Sequence, residues 1–158
     1  ELCYNKAMKL KVNEEKMLTF AEHLGGLLQA QDIIVLTGEL GAGKTTFVKG
    51  LAVGLGISQM IKSPTYTIVR EYEEGKLPLY HMDVYRAGDD PDSFDLDDYL
   101  FGEGVSVIEW GELLGESLPE AYLEVKFDKY ADGFATDAER VLELLPHGQR
   151  YEALLGEL

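Results

Sequence analysis

One cysteine, Cys3, cannot form an internal disulfide, and it sits near a chain end, where order is usually least. Long apolar runs are missing as well. The longest strongly apolar stretch, Ile33 to Leu36, falls far short of the ~20 residues a transmembrane helix needs. No basic segment is followed by an apolar h-region, so no signal peptide is expected and a cytoplasmic location is. Cations are scarce: 14 Lys and Arg stand against 29 Asp and Glu, a net charge of −15. Nucleic-acid binding rests on Lys and Arg neutralising phosphates, and anionic membranes attract polybasic segments. DNA, bare RNA and membranes are therefore not expected partners. The acidity can serve solubility or offer a docking face to a basic protein, and composition leaves both open. His23, His81 and His147 lie far apart and form no cluster with Cys3, so no structural metal site is expected. With no repeat, low-complexity stretch or linker, residues 1–158 read as a single domain, and 46% hydrophobic content is ample for its core.

The pattern along the chain is α/β. Lys9 to Val12 suits a short first strand. Asn13 is placed as an N-cap, with Glu14 and Glu15 in the first turn where the helix dipole favours anions. Met17, Phe20, Ala21, Leu24 and Leu28 follow at helical spacing. Ile33 to Leu36 is a continuous β-branched run, as in a strand buried on both faces. Helical periodicity returns from Thr45 to Leu55 and stops at Gly56. Thr67 to Glu73 and Leu77 to Asp83 predict a hairpin through Glu74 and Gly75, which makes the sheet mixed rather than wholly parallel. Asp90 and Pro91 predict a helix start running to about Leu100. Val105 to Ile108 is a further short strand. Leu123, Val125 and Phe127 alternate with Glu124, Lys126 and Asp128 in a half-buried strand. Arg140 to Leu145 is expected to pair with it across Asp132 and Gly133, and Tyr151 to Leu158 to close the chain as a helix.

Gly38-Glu39-Leu40-Gly41-Ala42-Gly43-Lys44-Thr45 satisfies G-x-x-x-x-G-K-[ST], between an apolar strand and a helix. Each fixed position has a chemical reason. Glycines bring successive backbone N–H groups close to phosphate oxygens. The helix that follows points its positive end at the same oxygens. Lys44 supplies a charge for the β and γ phosphates, and the Thr45 hydroxyl a magnesium ligand. The binding segment is read as Gly38 to Thr45 with Thr46 beside it.

The guanine-reading Asn-Lys-x-Asp segment of Ras-type GTPases is absent. Arg70, Arg86, Arg140 and Arg150 are too scattered for the arginine-rich lid of a small-molecule kinase. An ATPase or ATP-driven switch fits better. Hydrolysis needs an acidic group at a neighbouring strand end, and Asp83 and Glu109 both stand at such ends. Either could order the attacking water. Thr65, in Ser63-Pro64-Thr65-Tyr66-Thr67, lies where nucleotide switches carry a threonine that senses the γ-phosphate. Trp110 is read as a packing residue rather than a neighbour of the nucleotide, and His81 as the holder of a local hydrogen bond rather than a base.

GELGAGKTTF (Gly38 to Phe47), SPTYT (Ser63 to Thr67), LYHMDVYR (Leu79 to Arg86) and IEWGE (Ile108 to Glu112), in this order and spacing, resemble the TsaE family, also called YjeE. The ending GQRYEALLGEL is similar to members from Gram-positive bacteria. The resemblance is weakest before Asp32 and between Tyr130 and Leu145. Glu39 stands where many members have Asp, and Tyr66 where many have Phe; both keep the side-chain character. The resemblance implies a P-loop NTPase-type three-layer α/β domain with a mixed, partly antiparallel sheet. It implies an ATPase that works with TsaB and TsaD to form threonylcarbamoyladenosine in tRNAs reading codons that start with A. Such a subunit resets the complex rather than transferring the threonylcarbamoyl group, and meets tRNA only through its partners. The implied cofactors are ATP and Mg2+, with Thr45 and Glu109 as metal ligands and Asp83 important for hydrolysis beside Lys44.

Overall fold

A computed structural model describes residues 7–38, 43–64, 69–85, 96–128 and 139–158. The strands are β1 (Met8–Val12), β2 (Ile33–Thr37), β3 (Val69–Tyr72), β4 (Leu79–Asp83), β5 (Val105–Glu109), β6 (Tyr122–Asp128) and β7 (Arg140–His147). They form one seven-stranded sheet in the order β1-β7-β6-β2-β5-β4-β3. The middle, β6-β2-β5-β4, is parallel, while β3 and the β7-β1 pair run antiparallel at the two edges. The mixed sheet expected from the hairpin is present. Its turn is wider than Glu74 and Gly75, because β3 ends at Tyr72 and β4 starts at Leu79.

The sheet divides the core in two. On one face α1 (Glu14–Leu27), α2 (Lys44–Gly54) and α4 (Gln149–Gly156) pack over Ile34, Leu36, Val107, Leu123 and Val125. On the other, α3 (Leu96–Leu100) and a 3₁₀ segment (Gly111–Ser117) cover Ile33, Val35, Met82 and Ile108. β2 is therefore buried on both sides, which is why its run does not alternate. Among the described residues no helix is long and apolar enough to cross a membrane.

Local chemistry set most boundaries. Asn13 Oδ1 accepts the N–H of Lys16 at 2.8 Å, as expected of the N-cap of α1. Leu123, Val125 and Phe127 are buried and Lys126 is exposed, so the alternation in β6 is real. β7 runs past the expected Leu145 through Pro146; among the described residues β1 reaches only as far as the position opposite Leu144. The 3₁₀ segment had no counterpart in the sequence pattern. The Asp90-Pro91 helix start and the Asp132-Gly133 turn lie outside the described residues.

Two contacts fix the elements that carry the site. α1 and α2 touch through backbone: a Cβ on Gly54 would fall against the main chain of Glu22 and Gly26, and one on Gly50 would come within 2.6 Å of Ala21 Cβ. The start of β2 is tied to α4. Asp32 accepts from Arg150 Nε at 3.0 Å and Nη2 at 2.7 Å, and from the Gln29 N–H at 2.7 Å. The Ile33 N–H donates to Tyr151 Oη at 2.8 Å. Burial pushes the Tyr151 phenol up to about 12.

Gly54→Ala is expected to lower stability by about 1–3 kcal/mol through overpacking, against a propensity gain of ~1 kcal/mol. Gly156→Ala, in α4 with nothing within 4 Å, is the control without overpacking and should be neutral to slightly stabilising; thermal melts of both variants make the comparison. Tyr151→Phe leaves the Ile33 N–H unpaired and should cost about 1–3 kcal/mol at pH 8. A phenol whose pKa is raised in the fold contributes stability below its ordinary value of 10.0, lost as pH rises through about 12. Urea titrations at pH 8 and pH 11 should therefore show the gap between wild type and Tyr151→Phe narrowing.

Candidate active site

β2, β5 and β4 are parallel neighbours, and their carboxyl ends open on one edge of the sheet, the usual place for ligands in α/β folds. β2 delivers Gly38 there with φ 144°, and a Cβ on it would come within 3.0 Å of Phe127 Cβ and O on β6. Only glycine fits that turn. Gly43 precedes α2 at φ 103° with no capping side chain, and the first turn of α2 holds no acidic residue. α1 differs: Asn13 caps it and Glu14 and Glu15 offset its dipole. Among the described residues, neither the cap nor the first turn of α2 offsets its positive end, a position suited to an anion. Met17 of α1 backs this turn, since a Cβ on Gly43 would lie 3.2 Å from Met17 Cε.

Lys44 is buried, with only 7% of its side chain exposed. Its Nζ donates to Gly38 O at 3.0 Å, stands 4.0 Å from Glu109 Oε1 and lies 4.8 Å from the centroid of the Trp110 ring. A cation taken out of water needs such compensation. Carbonyl, carboxylate and aromatic face are also partners that a phosphate can replace. Thr45 and Thr46 follow in the first turn of α2, partly exposed.

The two strand-end acids stand side by side: Asp83 and Glu109 are register partners on β4 and β5, and both are buried. Asp83 Oδ1 accepts the Tyr85 N–H at 3.0 Å, which bends the chain away after β4. Glu109 Oε2 accepts from His81 Nε2 at 2.7 Å. The local hydrogen bond expected of His81 is there, and its acceptor is the candidate catalytic glutamate.

Trp110 packs, as expected, against the cluster that includes Val35, Met82 and Ile108, and its ring also borders the Lys44 ammonium, with Tyr85 tilted against it at 5.2 Å. A left-handed backbone at Trp110, φ 66°, turns the chain sharply after Glu109. Such strain in a non-glycine residue concentrates at functional sites. Its position directly after Glu109 was the available signal; Tyr85, 60% exposed, had none.

The structure thus brings together Gly38, Gly43, Lys44, Thr45, Thr46, Asp83 and Glu109 at one end of the parallel strands. Glu39, Leu40, Gly41, Ala42 and Thr65 lie outside the described residues. Among the described residues no group of three or more His, Cys, Asp or Glu could hold a metal alone. Magnesium at nucleotide sites takes one or two protein oxygens and completes its shell with phosphate and water. The hydroxyl of Thr45 and the carboxylate of Glu109 suit that division.

Comparison with known proteins follows the same lines. Residues 11–137 match the model of a family described as "Threonylcarbamoyl adenosine biosynthesis protein TsaE". The chain is 44% identical over 147 residues to the tRNA threonylcarbamoyladenosine biosynthesis protein TsaE of Bacillus subtilis, covering 93% of this chain and 90% of that protein. It is 49% identical over 112 residues to the Treponema pallidum protein of the same name, covering 70% of this chain and 82% of that one. The crystal structure of Bacillus subtilis YdiB superposes with a TM-score of 0.81 at 40% identity, over 96% of this chain and 93% of that one.

A nucleoside triphosphate that draws Lys44 Nζ to its phosphates removes the cation from the Trp110 face. Since Trp110 is the only tryptophan, titration with ATP should change the protein's intrinsic emission. Lys44→Ala should abolish the cation-dependent part of that change. It should also weaken ATP by roughly 10- to 100-fold, the worth of one charged hydrogen bond.

Proposed function

The chain belongs to the TsaE family, and from that premise we propose that it binds and hydrolyses ATP as a subunit in tRNA threonylcarbamoyladenosine biosynthesis. TsaB and TsaD are its proposed partners and the cytoplasm its location. Its ATP cycle resets the complex between turnovers and does not transfer the threonylcarbamoyl group. tRNA is met through the partners, in keeping with a net charge of −15.

The observation that carries this reading is the position of Lys44, held between Gly38 O and the Glu109 carboxylate at the open end of α2. Entering phosphates take over the Lys44 ammonium from Gly38 O and lie against the N-terminus of α2, so ground-state charge is met by groups already in place. Gly38 and Gly43 keep the loop ends free of side chains, and Glu39, Leu40, Gly41 and Ala42 supply the N–H groups between them. Thr45 and Glu109 would hold magnesium, which would supply charge neutralisation on the transferred phosphoryl group. Thr65 senses the γ-phosphate. Asp83 and Glu109, register partners at the strand ends, are the two candidates for orienting the attacking water.

The reading is tested by ATP hydrolysis with and without a TsaB–TsaD pair, with GTP in parallel. Turnover of ATP that rises with the pair present is the expected outcome. Bound ATP with no hydrolysis in either condition would overturn it. Asp83→Asn and Glu109→Gln should each lower turnover by roughly 100-fold or more while ATP still binds. The variant that also loses magnesium dependence identifies the metal ligand and leaves the other residue to order water. If turnover vanishes but tRNA modification survives, the chain is a nucleotide-gated binding module instead.

A further inference from the structure

His81 is fully buried on β4, two residues before Asp83, and pairs in register with Val107 of β5. Strand alternation puts it on the same sheet face as Asp83 and Glu109. An ionised carboxylate only accepts, so the 2.7 Å bond to Glu109 Oε2 is donated by His81 Nε2–H. The other ring nitrogen, Nδ1, is buried with no hydrogen-bond partner among the described residues. A buried, unpaired polar atom is a standing penalty that an apolar side chain would avoid. What the histidine offers in exchange is a hold on one oxygen of Glu109. With Oε2 engaged, Oε1 is the oxygen 4.0 Å from the Lys44 ammonium.

We propose that His81 is a positioning residue, fixing the Glu109 carboxylate so that only Oε1 is presented to the metal and phosphate end of the site. This rests on Glu109 acting as a magnesium ligand, as proposed above. The terminal torsion of a glutamate is broad and has no strong staggered wells. Without the His81 bond the carboxylate can turn both oxygens on Lys44. It then withdraws from the metal. Outer partners of metal-binding carboxylates matter by roughly 10- to 100-fold in metal affinity.

The test uses the full chain with His81→Leu, which removes the donor, and His81→Gln, which restores an amide donor near the place of Nε2. Calorimetry measures binding of a non-hydrolysable ATP analogue in EDTA and across a magnesium series, and thermal melts report stability. His81→Leu removes the unpaired Nδ1 but also the donor to the buried Glu109 carboxylate, so the melt serves to verify that the variant is folded at the assay temperature. It should bind the analogue in EDTA within about twofold of wild type, yet need roughly 10- to 100-fold more magnesium for the same enhancement. His81→Gln should recover most of that loss. In a Glu109→Gln background, His81→Leu should change nothing further. His81→Met, which adapts to the same space, carries the same test if the leucine variant does not fold. An unchanged magnesium midpoint in the apolar variant overturns the proposal, and so does a glutamine variant as impaired as the apolar one. A wild type with no magnesium dependence removes the metal role of Glu109 itself. That failure is separate, because it is seen before any His81 variant is made.

Discussion

A lysine ammonium held out of water is the constraint around which this site is organised. A buried ammonium needs partners to offset its lost hydration, and those of Lys44 come from three places in the chain. Gly38 O is the end of β2, Glu109 the end of β5, and Trp110 the turn that follows. Each is deliverable only because β2 and β5 are parallel and in register, with Leu36 opposite Glu109. The sheet order thus serves an electrostatic requirement at its edge.

The elements behind that edge are tied down where movement would misplace it. Arg150 and Tyr151 of α4 hold the first residues of β2, about one strand length from Gly38. The backbone contact of α1 with α2 fixes the helix whose first residue is Lys44. Met17 of α1 lies against Gly43 at its start. Phe47 packs edge-on to Phe127 at 5.6 Å, joining α2 to the strand that also crowds Gly38. Packing and site geometry are therefore the same set of contacts, and a loss of core fit at these points reaches the chemistry.

Much of this was legible beforehand, for reasons that can be named. The G-x-x-x-x-G-K-[ST] pattern was readable because its glycines, lysine and threonine stand in one short segment of the sequence. β2 was readable because burial on both faces leaves no polar position in Ile33 to Leu36. Asn13 and its acidic followers marked α1 through local hydrogen bonding. Trp110 packs as expected, but its second role beside the lysine was not legible. Its contact with Lys44 depends on a left-handed backbone and on the spatial meeting of two segments far apart in sequence. The 3₁₀ segment escaped notice because it has neither helical nor strand periodicity.

The sequence by itself determined the short-range features: the glycine-rich segment between β2 and α2, the N-cap of α1, the strand alternation and the two acids at strand ends. Those depend on neighbouring residues and carry their own pattern. Only the tertiary structure decided which groups meet. It put Asp83 opposite Glu109, gave one oxygen of Glu109 to His81 and the other a lysine neighbour, and laid the Trp110 face beside that lysine. The physical reason is register. A shift of one residue between β4 and β5 would turn these side chains to opposite faces, and nothing local in either strand states what lies across from it.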